Sequence, residues 1–267
     1  MSRWRRALRS PSGVVLMVLV LVAVAAPWLW SAPRDITRER LQSPRFAHPF
    51  GSTRLGQDVL AQVGHALRVD LTLGVAAVAV SAAVGVLLGG AAGYLGGLVD
   101  RGFVLLADLT QALPVALLLI ALAFALGTGA STILIAFALF GWLPYARLAR
   151  SSVARVRDLE YVRAAELLGI PAHRVVTRHV VPNALDQVIV YAAADVGVAV
   201  QTIAALAFIG VSLPDGTLEL GRMIATGAPR LRDAWWLTVF PGLMLVVVGV
   251  ACGRFARHLA EPAGGGR

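Results

Sequence analysis

The chain has 267 residues, of which 58% are hydrophobic, with a mean hydropathy of +0.75 and a net charge of +9. That balance lies outside the range of soluble domains and points to an integral membrane protein. All 24 basic residues are arginine, and the lack of lysine excludes a Walker A nucleotide loop and Schiff-base catalysis.

A bilayer core about 30 Å thick takes roughly 20 apolar residues per helix, and the backbone within it must satisfy its own hydrogen bonds. Six windows qualify: Val14–Trp30, Leu71–Tyr94, Phe103–Leu126, Ser131–Arg150, Val188–Val211 and Trp235–Gly253. The expected fold class is an all-α integral membrane protein with six transmembrane helices. Arg3, Arg5, Arg6 and Arg9 form a basic tail over residues 1–13 ahead of the first window. Positive residues hold segments on the cytoplasmic side, so the N-terminus is expected inside, and six crossings return the C-terminus there. The first window resembles a signal peptide in its basic flank. It closes on Trp28 and Trp30, however, and interfacial tryptophans mark a retained helix over residues 14–30.

Residues 31–70 are expected to be extracytoplasmic. Near their end Val59, Val63, Ala66 and Leu67 recur at helical spacing, which predicts a short amphipathic helix lying at the interface before the second span. The second window is rich in glycine (Gly85, Gly89, Gly90, Gly93), and small residues let membrane helices approach closely, so this helix is expected to pack on protein. Asp108 stands near the start of the third window and Pro114 follows it. Gly127-Thr128-Gly129 makes a turn too short for a site, and the fourth window ends in Trp142, Tyr145 and Arg147.

The longest inner segment then runs over about residues 150–187, within a five-helix core at 71–260. Asp158 and Glu160 begin a predicted helix to Leu168, Gly169 caps it, and Pro171 follows, as helix stops do. A second short helix carries Arg174 and Arg178 and ends at Pro182. The sequence thus predicts a bent helical pair outside the bilayer. Beyond the fifth window, Val211–Ala234 reads as an outer loop, and the tail 261–267 is expected to be disordered.

The cations lie between spans, so nucleic acid is not an expected partner. The five histidines lack metal-ligand spacing, and Ser212 lacks the surroundings of a nucleophile elbow. An ionisable residue inside a span costs energy and normally faces a cavity or a partner. Asp108 and Asp195 are therefore candidates for pore lining or helix pairing, with Gln201 a further pore candidate. Cys252 is the single cysteine, which leaves no intrachain disulfide.

The segment Ala164–Pro182 resembles the EAA loop of permease subunits in binding-protein-dependent ABC importers. Ala164, Ala165, Gly169, Val180, Val181 and Pro182 match that pattern, Asn183 follows, and Arg163 stands where the pattern has glutamate. HPFGSTRLGQDVLAQV, GYLGGLVD, YARLAR, RHVVPNAL, ALAFIG and FPGLML are similar in order to the dipeptide, oligopeptide and nickel branch, and to its second, C-type subunit. The resemblance covers about residues 49–253.

It implies a type I importer permease fold and a non-catalytic role as half of the translocation path. It also implies partners: a B-type permease subunit, two ATPase subunits that bind ATP and Mg, an extracytoplasmic binding protein and membrane lipid. No cofactor is expected in the chain itself. The contact with the ATPase is expected at Arg163, Ala164, Ala165, Leu168, Gly169 and Pro182. Dipeptides or short oligopeptides lead as cargo, with nickel or haem-like ligands as the alternative. A stand-alone secondary transporter remains a rival reading, though the inverted repeats and broken helices of that class are not visible.

Overall fold

The computed structural model describes residues 3–30, 35–36, 39–112, 115–157, 159–160 and 181–261. Ten α-helices occur among them: α1 Arg3–Arg9, α2 Pro11–Leu29, α3 Val59–Leu95, α4 Gly97–Ala112, α5 Val115–Leu126, α6 Ala130–Phe140, α7 Trp142–Arg157, α8 Val181–Phe208, α9 Leu220–Gly227 and α10 Trp236–Ala260. A short 3₁₀ turn, Ala228–Arg230, links α9 towards α10. Extended pairing among the described residues is limited to two isolated bridges, Arg45 with His48 and Ser52 with Asp58.

Five helical stretches are long and apolar enough to cross a bilayer: Pro11–Leu29, Val59–Leu95, Ala130–Arg157, Leu185–Phe208 and Trp236–Ala260. They coincide with five of the six expected windows. The window at Phe103–Leu126 is occupied by α4 and α5, on either side of residues 113–114, which lie outside the described residues.

The separate interfacial helix expected before the second span does not exist. Val59, Val63, Ala66 and Leu67 open α3 itself, which runs unbroken for 37 residues, or about 55 Å at 1.5 Å per residue. All four side chains are buried. Val59, Val63 and Ala66 pack with Leu220, Ala234 and Trp236, so protein and not lipid covers the apolar face that the sequence assigned to the interface.

The chain divides into two units. The first takes Met1–Ala76, Leu126–Ile133 and Ala193–Arg267, and the second takes Ala77–Ala125 and Leu134–Ala192. In the first, the basic N-terminal stretch is helical. Ser10 caps the start of α2 through Gly13 N–H at 3.1 Å, and α1 packs on α2 and α10. Leu19 and Ala23 of α2, Leu67 of α3, Val200 of α8 and Val248, Ala251 and Cys252 of α10 make one core.

In the second unit, the glycine stripe of α3 faces α7. A Cβ at Gly85, Gly89 or Gly93 would run into the backbone at Trp142, Ala146 and Arg150 in turn. The four-residue step on both helices brings one turn of each against one turn of the other, the close approach that small residues permit. Ala92, Phe103, Ala107, Trp142, Leu143 and Ala146 complete that core, with the Phe103 and Trp142 rings edge to face at 6.0 Å.

Candidate functional site

The residues expected to meet an ATPase, Arg163, Ala164, Ala165, Leu168 and Gly169, lie outside the described residues. The helices that bracket them do not. α7 ends at Arg157, and α8 begins at Val181 with Pro182 in its first turn. Proline suits that position because its N–H would be unpaired there in any case. Pro182, expected both to end a short helix and to belong to the ATPase contact, therefore stands in the first turn of the long α8.

The end of α7 and the start of α8 are tied together by polar contacts within the second unit. Ser152 Oγ donates to Gln187 Oε1 at 3.0 Å, and an Arg155 Nη donates to the same oxygen at 3.1 Å. Nearby, Tyr145 and Tyr191 stack edge to face at 5.0 Å.

The same end of α7 is bound to the α3–α4 corner. Arg150 grips the Asp100 carboxylate with Nε on one oxygen and Nη on the other, the second at 2.7 Å. The Arg150 guanidinium also sits 5.6 Å from the Phe103 ring centre. Arg157 donates to the Tyr94 carbonyl at 2.7 Å. The guanidinium holds the Asp100 carboxyl below the usual carboxylate range. Side-chain bonds thus tie the end of α7 both to the start of α8 and to the α3–α4 corner.

Of the candidate pore residues, Asp108 is exposed on α4, in the second unit. Asp195 is half-buried midway along α8, and Gln201, also on α8, is exposed with its amide against Gly249 of α10; both belong to the first unit.

A second polar region, built from the segment before α3 together with α9 and α10, belongs to the first unit. His48 Nδ1 lies 2.7 Å from Asp58 and Nε2 lies 2.7 Å from Glu39. These bonds, to Asp58 foremost, raise the imidazole above its ordinary value. The other Asp58 oxygen accepts the Ala61 N–H at 3.0 Å and so caps α3. Gly51, at φ 76°, lets the backbone pass under Trp236, whose indole donates to the Ser52 carbonyl at 3.2 Å. Phe50 stacks on Phe240 at 4.0 Å.

Two carboxylates that sequence reasoning missed are buried in this region. Asp70 accepts the Leu220 N–H at 3.0 Å, and Glu219 accepts the Leu213 N–H at 3.1 Å; neither residue is exposed to solvent. Burial raises the Glu219 carboxyl, while the Leu213 bond and Arg222, 3.3 Å away, oppose that rise. Arg222 also donates to Ser212 Oγ at 2.5 Å and to the Leu213 carbonyl. Beside this group opens a cavity of about 570 Å³, whose lining includes Arg40, Arg54, Gln62, Glu219, Arg222 and Arg230. One wall comes from the HPFGSTRLGQDVLAQV stretch and the other from residues 217–237, and their pairing across that distance is what the sequence did not reveal.

Residues 85–262 match the family described as binding-protein-dependent transport system inner membrane component. The chain is 32% identical over 262 residues to an Escherichia coli protein whose full name is "Probable D,D-dipeptide transport system permease protein DdpC", covering 96% of this chain and 88% of that one. It is 30% identical to the dipeptide transport system permease protein DppC of Bacillus subtilis, over 91% and 78% of the two chains. It is also 30% identical to the oligopeptide transport system permease protein OppC of Mycobacterium bovis, over 97% and 93%. With an all-helical fold carrying five spans among the described residues, these matches identify a multi-pass protein of the bacterial inner membrane with the type I importer permease fold. The chain belongs to the family of binding-protein-dependent transport system inner membrane components.

Proposed function

We propose that the chain is the membrane-spanning permease subunit of an ATP-driven importer for dipeptides or short oligopeptides. The observation that carries this reading is near full-length similarity to permeases named for dipeptide and oligopeptide transport. The chain forms half of the translocation path, and a B-type permease subunit forms the other half. An extracytoplasmic binding protein delivers the peptide. Two ATPase subunits bind ATP and Mg and perform the hydrolysis, which a chain without lysine cannot support through a Walker A loop.

The coupling element is the EAA-like loop between α7 and α8, on the cytoplasmic side together with both termini. Ala164, Ala165, Leu168 and Gly169 form its contact core, with Leu168 as apolar anchor and Gly169 at the bend. Arg163, in place of the motif's glutamate, turns the usual polar contact into one that suits an acidic partner group. The bonds of Gln187, Asp100 and Tyr94 to α7 support the reading, since a loop anchored at both ends moves its helices when it is pushed. Asp108, Asp195 and Gln201 serve in pore lining or helix pairing.

The test is purification with candidate ATPase partners. Wild type retains the ATPases and supports ATP-dependent peptide uptake in proteoliposomes. Leu168→Asp and Gly169→Pro lose both. Full uptake by Leu168→Asp contradicts the docking role, and uptake by the chain alone without ATPases contradicts the importer reading.

A further inference from the structure

The cavity beside α9 is lined by four arginines, the exposed Arg40 and Arg54 together with Arg222 and Arg230, and by a single acidic residue, Glu219. That carboxylate is already committed. It is fully buried, it bonds to Leu213 N–H, and it faces Arg222. Arg222 is likewise held by Ser212, Leu213 and Glu219, with the exposed Asp215 carboxylate 3.6 Å from its other arm, so the Arg222–Glu219 pair forms a fixed wall.

Arg40, Arg54 and Arg230 differ. Among the described residues no hydrogen bond or ion pair engages their side chains. Three cationic residues that line one cavity, whose one acidic lining residue is already engaged, repel one another, and an oxyanion entering between them relieves that repulsion. Guanidinium forks match a planar carboxylate in two-point contact. The volume of about 570 Å³ lies within the range of about 300–1,000 Å³ common to small-molecule sites. A small, concave site of this kind suits a solute better than the broad face of a protein. Gln62 adds a buried amide to the lining.

We propose that this cavity is a binding station for the free terminal carboxylate of a short peptide, on the outer side of the importer. The proposal rests on the peptide-importer reading, because every linear peptide with a free C-terminus carries that group whatever its side chains. Arg54 and Arg230 clamp the carboxylate, Arg40 adds its field at the rim, and the Arg222–Glu219 pair keeps the wall in shape. The station supplies a hold on the peptide that is blind to sequence, which suits a path that must pass many side chains.

The experiment uses the assembled importer, permeases with ATPases, in lipid nanodiscs without binding protein. Equilibrium binding of radiolabelled alanyl-alanine is compared with that of alanyl-alanine amide. Wild type is expected to bind the acid at least about tenfold more tightly than the amide, since the amide cannot form the charge-assisted pair. The double variant Arg54→Gln/Arg230→Gln, with unchanged assembly on size exclusion and unchanged melting temperature, is expected to lose that preference. Equal binding of acid and amide overturns the proposal, as does an unaltered preference in the double variant. Displacement of the dipeptide by equimolar inorganic phosphate also overturns it, by revealing a general oxyanion site. In a second arm with purified binding protein added, loss of its association in the double variant, with dipeptide binding intact, overturns it in favour of a docking role. Each of these results leaves ATP-driven uptake by the wild-type importer, the test of the broader reading, untouched.

Discussion

Arg150 closes on Asp100 with both arms of its guanidinium, joining two residues that stand fifty positions apart at the ends of separate motifs, YARLAR and GYLGGLVD. The pair is only partly exposed, at 38% and 30% of the two side chains, and screening by water limits its worth. A double-mutant cycle of Asp100→Asn and Arg150→Gln, measured by unfolding in detergent, is expected to give a coupling of about 1 kcal/mol. Asp100 is depressed by Arg150. Its contribution is therefore present above the ordinary carboxylate range and disappears as the pH drops through the lowered folded value. A cycle with no coupling at neutral pH contradicts the geometry.

The packing of α3 on α7 separates two adjacent glycines. A Cβ at Gly89 collides with the Ala146 backbone, while at Gly90 nothing lies within 4 Å. Gly89→Val is expected to cost about 3 kcal/mol or to prevent folding, and Gly90→Val to change the melting temperature little. Equal effects from the two substitutions, in yield and melting temperature of the purified protein, contradict the described face.

His48 bridges Asp58 and Glu39 and has a raised folded value relative to the ordinary 6.5. A raised value means that the folded protein holds the proton more tightly than the unfolded chain does. The stabilisation is complete below the ordinary imidazole value and is lost as pH rises through the folded one. The melting temperature of wild type is expected to fall between about pH 6 and pH 9 by more than that of His48→Gln, a difference of about 1 kcal/mol or less. Identical slopes for the two proteins contradict the bridge.

Asp70 binds the Leu220 N–H inside the first unit. Asp70→Leu leaves that buried donor unpaired and is expected to destabilise by about 2 kcal/mol, whereas Asp70→Asn keeps an acceptor and costs less. Chemical unfolding of both variants checks the order. Equal losses show that the bond contributes nothing beyond packing.

Helix positions were largely legible because apolar windows of membrane length leave little choice of structure. The glycine face of α3 was also legible, since a one-turn repeat of small residues has few uses other than close packing. What escaped was pairing at long range. Nothing local in the sequence relates Asp100 to Arg150, or Asp70 to Leu220, 150 residues on. The interfacial reading of Val59–Leu67 failed for a related reason: an amphipathic face looks alike whether lipid or another helix covers it. α9 was hidden in an expected loop, although Leu220, Met223, Ile224 and Gly227 follow helical spacing. For the expected ATPase contact, sequence supplies the candidate residues, and the structure describes the helices on either side of them.

The role of that segment is best tested by cross-linking from a single introduced thiol. Cys252 is the chain's one cysteine and is buried, so Cys252→Ser provides a thiol-free background into which Leu168→Cys is placed. In membranes containing the full importer, residue 168 is expected to cross-link to an ATPase subunit, with a yield that changes when ATP is bound, and to be shielded from a membrane-impermeant thiol reagent added outside. A transport-competent importer in which residue 168 reacts only from the outer face, or never reaches an ATPase, contradicts the account.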